Sequence, residues 1–480
     1  MPSLPPAPRA SACRPSARRC ASRAARPAPS SAPTPATNRP SETTMQSIVI
    51  VGGGVAGLEL ATRLGRQLGP FHKDRVILID TAPTHFWKPL LHEVAAGTID
   101  PASHTIDYAR QAMDNHFTFL CGEVVHVDRA RHTLTVRGRR FDDGHGGDGS
   151  HTLIGYGRLV LAYGSVTNFF GIPGAEQHCL SLDSVERAET FRKRFLNLCE
   201  AAGRRRGRHT GAAAPALDIV IVGAGPTGIE LAADLRHTVD TLAHYGLSGL
   251  AAPHQVRIRI VERGPQVLPS LDAQASSLAV RKLEAMGIEI CTETAVAEVR
   301  ESEVATVDGR VFPAAITVWA AGVKGPDFST RLNVLLNRSN QVLVDGQLRS
   351  LTDPQIFALG DCSTLQNPDK TAMAPPSAQA ARQQAIYLAK LLTHEKPNQL
   401  KGFQYRDYGT LVSLGRGDAV GILRRAIGSR HLRVKGTFAL AMYKLTYQRH
   451  VMGHLGLWRM CANVLARWSR SKMLMPVRWH

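Results

Sequence analysis

Residues 48–64 read IVIVGGGVAGLELATRL, and residues 219–235 read IVIVGAGPTGIELAADL. Each stretch is a run of β-branched apolar residues followed by G-x-G-x-x-G and then by an amphipathic helical pattern. Such a run indicates a strand that is buried on both faces of a parallel sheet. A glycine loop between that strand and a helix can hold the pyrophosphate of a dinucleotide at the helix N-terminus. The repetition predicts two dinucleotide-binding units; the alternative is that each loop only turns a corner of its sheet.

The three glycines of each loop have separate tasks. The first permits a tight turn, the second lets the backbone approach a pyrophosphate, and the third lets the helix pack close to the strand. The candidate phosphate-binding residues are therefore Gly52, Gly54 and Gly57 in the first unit, and Gly223, Gly225 and Gly228 in the second.

An acidic residue follows each loop at the end of the next predicted strand. Asp80 ends RVILID, and Glu262 lies at the end of the strand in VRIRIVERG. A carboxylate in this position accepts hydrogen bonds from ribose hydroxyls and repels a 2′-phosphate, so Glu262 favours NADH over NADPH. The adjacent Arg263 could instead bind a 2′-phosphate and keeps that alternative open. Two complete sites indicate one flavin dinucleotide and one nicotinamide dinucleotide.

Length, charge and cysteine usage limit the class of protein. The 480 residues are enough for two or three domain cores, and 44% of them are hydrophobic. The eight cysteines form no CxxC pair, which argues against a disulfide framework, a metal cluster or a dithiol centre, so we expect no metal site. No apolar run approaches the length of a transmembrane helix. The formal net charge of +19 suits nucleic acid or an anionic membrane.

The first 44 residues are rich in Ala, Pro, Ser and Arg and contain one acid, Glu42. A segment of this composition cannot bury enough apolar surface to fold. It is either an organelle transit peptide or a misassigned start that precedes the true first residue, Met45. We favour the misassigned start, because prolines disrupt the helix of a transit peptide, and we exclude 1–44 from the fold.

The order of motifs predicts one Rossmann-like unit inserted into another. We assign 45–165 to the first part of a flavin domain, 166–343 to an NADH domain, and 344–400 to the second part of the flavin domain. The chain is expected to return to the flavin domain at PQIFALGDCS (354–363), which reads as a strand that ends at Gly360-Asp361. We expect 344–400 to contain the quinone-site helix and 401–480 to form a C-terminal membrane-attachment region. Residues 142–151 and 201–216 read as an exposed loop and a flexible stretch.

Three further segments carry a family resemblance. THFWKPLLHEVAAGTID (84–100), AYGSVTNFFGIPG (162–174) and APPSAQAARQQA (374–385) closely resemble signatures of the type II NADH:quinone oxidoreductases, which are two-dinucleotide-binding flavoproteins. The resemblance extends from Met45 to the C-terminus. It implies a bound FAD, and NADH and a quinone as substrates. The first segment contains no cysteine, which argues against a disulfide reductase.

The resemblance implies further site residues. For FAD they are Lys88, Gly164, Asp361 and Ala378, and for NADH the additional residue is Gly322. For quinone reduction and proton handling they are Gln379, Gln383 and Glu230. The alternative for Asp361 is a helix cap, and the alternative for the two glutamines is a plain surface helix that Ser377 caps. Glu230 could equally be an acid in the first helical turn, as Glu59 could be in the first unit.

The positive charge is concentrated at the C-terminus. After Asp418 the chain has twelve Lys and Arg residues and no acid. Apolar residues at helical spacing predict two basic amphipathic helices, of the kind that lie in a membrane interface. The predicted apolar faces are Phe438, Ala441, Met442 and Leu445, and then Leu457, Met460, Cys461, Val464, Leu465 and Trp468. Lys444, Arg449, Arg459, Asn463, Arg467 and Arg470 oppose them.

We therefore expect a peripheral membrane protein on the cytoplasmic face of a bacterial inner membrane, or in the mitochondrial inner membrane if 1–44 is a transit peptide. Nucleic acid is a poor partner for the apolar faces, and a homodimer interface is another use for them. Three other functions stay open. They are a soluble NADH-dependent reductase of an electron-carrier protein, a sulfide:quinone oxidoreductase that uses Cys179 and Cys362, and a non-enzymatic redox-signalling flavoprotein.

Overall fold

The computed structural model describes residues 47–138, 150–206, 217–245, 255–366, 374–415, 417–424, 431–473 and 477–478, within the unit Pro40–His480. The predicted leader 1–44 and most of the predicted loop 142–151 lie outside the described residues. The expected loop 201–216 is wrong at its start, because a helix that begins at Val185 continues to Arg206.

The elements alternate between strands and helices along the chain. The first part contains β1 (Ile48–Val51), α1 (Val55–Leu68), β2 (Val76–Asp80), β3 (Thr84–Phe86), α2 (Leu91–Ala96), β4 (Thr105–Asp107), α3 (Tyr108–Asn115), β5 (Thr118–Asp128), β6 (Thr133–Gly138), β7 (His151–Gly155), β8 (Arg158–Leu161) and β9 (Val166–Thr167). The middle part contains α4 (Ala175–His178), β10 (Cys179–Leu180), α5 (Val185–Arg206), β11 (Leu217–Val222), α6 (Pro226–His244), β12 (Val256–Val261), α7 (Ala273–Ala285), β13 (Ile288–Cys291), β14 (Val296–Val299), β15 (Glu303–Thr306), β16 (Val311–Pro313), β17 (Ile316–Trp319) and β18 (Val323–Lys324).

The last part returns to the first sheet and then forms a C-terminal layer. It contains β19 (Val342–Val344), β20 (Ile356–Ala358), β21 (Ser363–Leu365), α8 (Ala378–Thr393), β22 (Gly409–Ser413), β23 (Ala419–Arg424), β24 (His431–Lys435), α9 (Gly436–Leu455) and α10 (Leu457–Met473). Short 3₁₀ turns lie at Pro70–Arg75, Lys88–Leu90, Pro101–His104, Asp327–Leu332, Gly360–Cys362 and Pro397–Gln399.

Two sheets with the same internal order form the framework. The larger sheet has the order β20-β8-β1-β2-β5-β6-β7, and its strands from β20 to β5 are parallel. The smaller sheet has the order β10-β17-β11-β12-β13 and is parallel throughout. β1 and β11 are each flanked by the next strand along the chain and by a much later one. Each therefore lies at a topological switch point, where a crevice for a ligand opens at the carboxyl ends of the strands.

Burial explains why the strand sequences are continuously apolar. All four residues of β1 are buried, as are Ile219 to Val222 of β11. In the smaller sheet the helices α5, α6 and α7 cover one face, and the antiparallel strands β14 and β15 cover the other. Separate apolar clusters form around the two sheets. The expected α/β class with two Rossmann-like units is confirmed.

The C-terminal layer joins the two units. The antiparallel sheet β22-β23-β24 packs against α9, and β22 also contacts α6 of the second unit. α8 packs along α1 of the first unit. The expected C-terminal helices are present as α9 and α10. None of the described helices is both long enough and apolar enough to cross a bilayer.

Candidate active site

The two glycine loops have the same geometry. Gly52 and Gly223 have φ values of 102° and 107°, which favour glycine. A Cβ on Gly57 would lie 1.8 Å from the Gly52 carbonyl oxygen, and a Cβ on Gly228 would lie 2.0 Å from that of Gly223. The third glycine of each loop is therefore required for the close contact between helix and loop.

The second glycine of each loop faces open space. A Cβ on Gly225 would meet nothing within 4 Å, and one on Gly54 would meet only the Ala162 carbonyl oxygen, at 3.9 Å. These two glycines are the N-cap residues of α6 and α1, and glycine has no side chain with which to cap the free amides of the first turn. The space and the amide groups together fit a pyrophosphate at each helix N-terminus.

Each strand-end carboxylate is fixed by its own loop. Asp80 accepts hydrogen bonds from the Gly53 amide at 2.6 Å and from the Ala82 amide at 2.8 Å. Glu262 accepts from the Ala224 amide at 2.8 Å and from the Gly264 amide at 2.7 Å. A carboxylate oxygen has a second lone pair, so both acids remain able to accept a ribose hydroxyl.

A second carboxylate lies near the first loop. Asp361 accepts a hydrogen bond from the Ser165 hydroxyl at 3.0 Å, next to the predicted Gly164, and another from the Ser377 backbone, just before Ala378. Burial raises the pKa of Asp361, and the Lys88 ammonium opposes that rise. Burial also raises the pKa of Asp80, again against Lys88. Lys88 therefore acts on both carboxylates of the predicted flavin site.

The turn that carries Asp361 is held by a residue that the sequence did not single out. The amide of Gln384 is buried on α8, and its oxygen accepts a 2.7 Å hydrogen bond from the Gly360 backbone. A Cβ on Gly360 would lie 3.7 Å from the Cβ atoms of both Ala56 and Ala381. The turn is thus packed between the start of α1 and α8.

Gly322 lies under an aromatic ring. A Cβ on Gly322 would lie 2.5 Å from the Phe170 ring, and the Asn168 amide donates to the Gly322 carbonyl at 3.2 Å. Phe170 has a φ of 53° and is 60% exposed. An exposed aromatic side chain in the left-handed region at the predicted nicotinamide site was not expected from the sequence.

The two predicted quinone-site glutamines hold a single chain segment. The Gln379 amide donates to the Tyr405 hydroxyl at 2.6 Å and accepts from the Tyr408 backbone at 3.3 Å. The Gln383 amide donates to the Arg406 carbonyl at 2.8 Å and accepts from its backbone amide at 3.0 Å. Ser377 caps α8, as expected, by accepting from the Ala380 amide. The amides therefore fix residues 405–408 beside the N-terminal half of α8.

Glu230 belongs to a buried polar cluster. One carboxylate oxygen accepts from the Ser413 amide at 3.1 Å, and the other lies 3.3 Å from His92 Nε2. His92 Nδ1 contacts Asp234 at 2.8 Å, and His92 Nε2 also lies 3.2 Å from the Tyr443 hydroxyl. The sequence suggested that Glu230 and Glu59 sit in the first helical turn. This is wrong, because each is the fifth residue of its helix, beyond the reach of the free amides.

Burial and charge set the protonation of this cluster. Burial raises the pKa of Glu230 to about 7, although the neighbouring His92 opposes the rise. Burial alone would lower the pKa of His92, but the carboxylates of Glu230 and Asp234 raise it to about 10. Burial likewise raises the pKa of the adjacent Glu93 to about 7. At neutral pH the cluster holds a protonated imidazole beside carboxyl groups that can gain or lose a proton.

The structure does not bring all three predicted catalytic residues together. Gln379 contacts Tyr408 just before β22, whereas Glu230 contacts Ser413 at the end of β22. The Tyr408 and Ser413 amides are five residue steps apart along the chain, a distance on the order of 17 Å in a strand. The glutamines and Glu230 therefore lie at opposite ends of one strand.

His92, Asp234 and Tyr443 were missed as members of the site. His92 lies in the quoted segment 84–100, but nothing in that segment indicates which helix it faces. One signal was available, because Asp234 follows Glu230 by four residues and therefore lies on the same helical face.

The cysteines do not support sulfur chemistry. Burial raises the pKa of the Cys179 and Cys362 thiols to about 12, which disfavours the thiolate nucleophile. The Cys362 thiol donates to the carbonyls of Leu161 and Leu359. Within the described ranges, no group of three or more His, Cys, Asp or Glu residues is arranged to hold a metal ion.

The amphipathic helix α10 turns its polar side toward the protein. Arg459 pairs with Asp114, and Arg467 donates to the Tyr447 hydroxyl at 3.3 Å. The apolar side faces outward and includes exposed Leu457, Trp458, Val464, Leu465 and Trp468. The Arg470 side chain lies outside the described part. α9 also exposes three large apolar side chains, namely Phe438, Leu445 and Met452.

Comparison with known proteins agrees with this arrangement. Residues 46–385 match the pyridine nucleotide-disulphide oxidoreductase family. The chain is 35% identical to the type II NADH:quinone oxidoreductase of Haemophilus influenzae over 424 residues, which cover 85% of this chain and 93% of that protein. It therefore belongs to the pyridine nucleotide-disulphide oxidoreductase family and, within it, to the type II NADH:quinone oxidoreductases.

Solved structures show the same fold. NDH2 from Plasmodium falciparum in complex with NADH superposes with a TM-score of 0.73 at 17% identity, covering 91% of this chain and all of that chain. The sulfide:quinone oxidoreductase of Aquifex aeolicus superposes with a TM-score of 0.67 at 19% identity, covering 86% and 92%. The fold alone is thus shared by enzymes with different electron donors.

Proposed function

We propose that this chain transfers two electrons from NADH through a bound FAD to a membrane quinone without pumping protons. The observation that carries the proposal is the pair of glycine loops, each with a strand-end carboxylate, on two parallel sheets. The first loop would hold FAD, which stays bound, and the second would hold NADH, which binds and leaves in each turnover. The membership of the type II NADH:quinone oxidoreductases supports the quinone as acceptor.

We assign FAD to the first loop. The open space at Gly54, the carboxylates of Asp80 and Asp361, and the nearby Lys88 ammonium supply contacts for a pyrophosphate, a ribose and a ribityl chain. FAD bound there would supply the redox chemistry, as acceptor of a hydride and donor of two electrons. The protein positions this cofactor, and the N-terminus of α8 at Ala378 supplies positive dipole beside Asp361.

We assign NADH to the second loop. Glu262 is fixed by the Ala224 and Gly264 amides and presents its remaining lone pairs to a ribose. A 2′-phosphate would meet the same carboxylate, and like charges in contact cost several kcal/mol. Gly322 and Phe170 lie where the second nucleotide half would enter, at the carboxyl edge of the sheet.

Proton supply is the role proposed for Glu230. Reduction of a quinone consumes two protons, and a carboxyl group with a pKa of about 7 can give and regain a proton near neutral pH. Because Glu230 contacts the opposite end of β22 from the two glutamines, it would store a proton for relay toward the quinone and would not donate it directly. His92 and Asp234 hold this carboxyl in place and form its route to neighbouring polar groups. Gln379 and Gln383 shape the quinone site by fixing residues 405–408, where their amides can also meet a quinone carbonyl.

The experiment for this function is a comparison of donors and acceptors with the purified full chain. We expect visible flavin absorbance, release of FAD on denaturation, and NADH oxidation by a short-chain ubiquinone. The value of kcat/KM for NADH should exceed that for NADPH by about a hundredfold, because of Glu262. A colourless protein, or faster reduction of an acidic carrier protein than of the quinone, contradicts the proposal.

The outward apolar side of α10 is proposed to lie in the membrane interface. Basic residues flank exposed Trp458 and Trp468, a combination that favours the headgroup region of an anionic leaflet. In a bacterium the site would then face the cytoplasm, where NADH is available. The same surface could instead pair with a second copy of the chain, and a dimer can also dock to a membrane.

Point variants test the docking without disturbing the site. Removal of everything after Asp418 would also remove Tyr443 from the Glu230 cluster, so it is a poor test. Substituting Trp458, Leu465 and Trp468 by Ser should release the enzyme from vesicles with unchanged short-chain quinone turnover. The control substitutes Phe71, Leu153 and Val307, exposed apolar residues elsewhere, by Ser. If the α10 variant binds vesicles as well as the control variant does, α10 is not part of the docking surface.

A further inference from the structure

A basic cavity of about 510 Å³ lies between α1, α8 and the end of α9, separate from both glycine loops. Its lining includes four cationic side chains and one carboxylate, namely Arg63, Arg66, Arg382, Lys390 and Glu59. Glu59 and Thr62 are buried at its floor, whereas Arg66 and Lys390 are exposed at its rim. The cavity therefore combines a closed floor with a cationic mouth.

The single carboxylate does not satisfy the cations around it. Glu59 is 2.7 Å from Arg63 Nε, 3.5 Å from Arg382 Nε and 3.6 Å from His454 Nε2, so two guanidiniums and one imidazole share it. The Arg382 Nε atom is shielded from solvent and has no hydrogen-bond partner among the described residues. Arg66 donates to the neutral amide of Asn115 at 2.6 Å. The arrangement leaves an excess of positive charge and a buried donor, Arg382 Nε, whose contact with Glu59 is a long ion pair and not a hydrogen bond, and both suit an anion.

The donor types favour a phosphate group. Guanidinium groups present paired N–H donors that match two phosphate oxygens, and a lysine at the mouth adds a mobile point charge. Arg63, Arg66 and Gln67 lie in the last two turns of α1, whose C-terminus would repel an anion that lacked these cations. The volume is large enough for a phosphate with a small polar substituent.

The position of the mouth favours a lipid as the carrier of that phosphate. Gly453 lines the cavity, and its neighbour Met452 is exposed on α9. Asn115, which contacts Arg66, directly follows Asp114, which pairs with Arg459 at the start of α10. The exposed apolar side of α10 therefore begins beside the cavity, at Leu457 and Trp458.

We propose that this cavity binds the phosphate headgroup of an anionic phospholipid, whose acyl chains lie along Met452, Leu457 and Trp458. This site deepens the proposed membrane docking and rests on it only for the direction of the chains. It would fix the rotation of the enzyme on the bilayer, because one headgroup enters a defined cavity instead of a diffuse basic surface.

The experiment uses the full-length protein in a non-ionic detergent and a monomeric lipid, so that it does not depend on vesicle docking or on turnover. Dihexanoyl phosphatidylglycerol, below its critical micelle concentration, should raise Tm saturably by about 3 °C. The double variant Arg66→Gln/Lys390→Gln should weaken the apparent affinity by more than about tenfold. The control Lys444→Gln/Arg449→Gln removes the same charge from exposed positions on α9 and should bind as the wild type does.

Two further ligands separate the sources of phosphate and the role of the chains. Inorganic phosphate should need a concentration more than about tenfold higher, and equal potency would show a site for free phosphate. Dihexanoyl phosphatidylcholine has the same chains but no net charge and should give a smaller rise in Tm. No rise with phosphatidylglycerol in the wild type, the same rise in both double variants, or an equal rise with phosphatidylcholine overturns the proposal.

Discussion

Glu59 and Glu230 occupy the same position in two equivalent units, yet they face different surroundings. Each is the fifth residue of the helix that follows a glycine loop, and each is buried. Glu59 faces the guanidiniums of Arg63 and Arg382 and, at 3.6 Å, the His454 imidazole. Glu230 faces the His92 imidazole, a second carboxylate and a backbone amide. The difference comes from the elements that pack on each helix: α8 covers α1, whereas α2 and β22 cover α6.

This comparison separates two roles for one residue type. The Glu59 carboxylate pairs with two guanidiniums and serves as an anchor for them. Burial raises the pKa of the Glu230 carboxyl to about 7, against the opposing effect of His92, so this group can exchange protons near neutral pH. The local sequence of the two helices is nearly the same, so the neighbours decide the role.

The largest expected effect shows which glycine loop binds FAD and which binds NADH. Gly54→Ala adds a Cβ that meets no protein atom closer than 3.9 Å, so the fold should be retained. The Cβ would occupy the space assigned to the FAD pyrophosphate, and we expect loss of bound flavin and about a hundredfold loss of turnover. Gly225→Ala should keep the flavin and raise only the KM for NADH. Flavin spectra and steady-state kinetics measure both, and flavin loss in Gly225→Ala would reverse the assignment.

The next effect separates the two glutamates. Glu230→Gln should slow quinone reduction by more than about tenfold with the flavin still bound, since an amide cannot supply the proton. Glu59→Gln should keep turnover but lower the free energy of unfolding by about 1–3 kcal/mol, because it leaves two guanidiniums without their carboxylate. Stopped-flow flavin reoxidation and urea titrations measure the two quantities. Unchanged kinetics in Glu230→Gln would remove this residue from proton transfer.

The third prediction is a dependence of stability on pH, which is gradual because it is spread over several pH units. The pKa of His92 is raised from 6.5 to about 10, so its contribution is complete below pH 6.5 and is lost as pH rises through about 10. Across that window the free energy of unfolding should fall by up to about 1.4 kcal/mol per pH unit. His92→Gln should flatten this slope, whereas Glu59→Gln should keep it. Urea titrations at a series of pH values test this, and an equal slope in His92→Gln would show that the cluster does not hold the proton.

Local sequence patterns predicted the main features of the two glycine loops. The tasks of Gly57 and Gly228 follow from the loop motif, and the carboxylates of Asp80 and Glu262 contact their loops as a strand-end position requires. The cap at Ser377 and the amphipathic character of α10 are likewise properties of short stretches. Such features depend on residues close in sequence, which is why spacing alone predicted them.

Residue spacing could not predict contacts between residues that lie far apart in the sequence. His92 meets Asp234 and Tyr443 only because α2, α6 and α9 converge, and no periodicity encodes this convergence. The contacts of Gln379 and Gln383 with residues 405–408 were not predicted for the same reason. The basic cavity combines α1 and α8, which lie far apart in the chain.

By itself the sequence determined the two glycine loops, their acidic partners and the basic amphipathic C-terminus, because each is written in neighbouring residues whose spacing matches a strand, turn or helix. Only the tertiary structure decided which carboxyl group is poised to exchange a proton and which is an anchor. The reason is physical: desolvation and nearby charge set a pKa, and both are produced by the elements that pack around a residue.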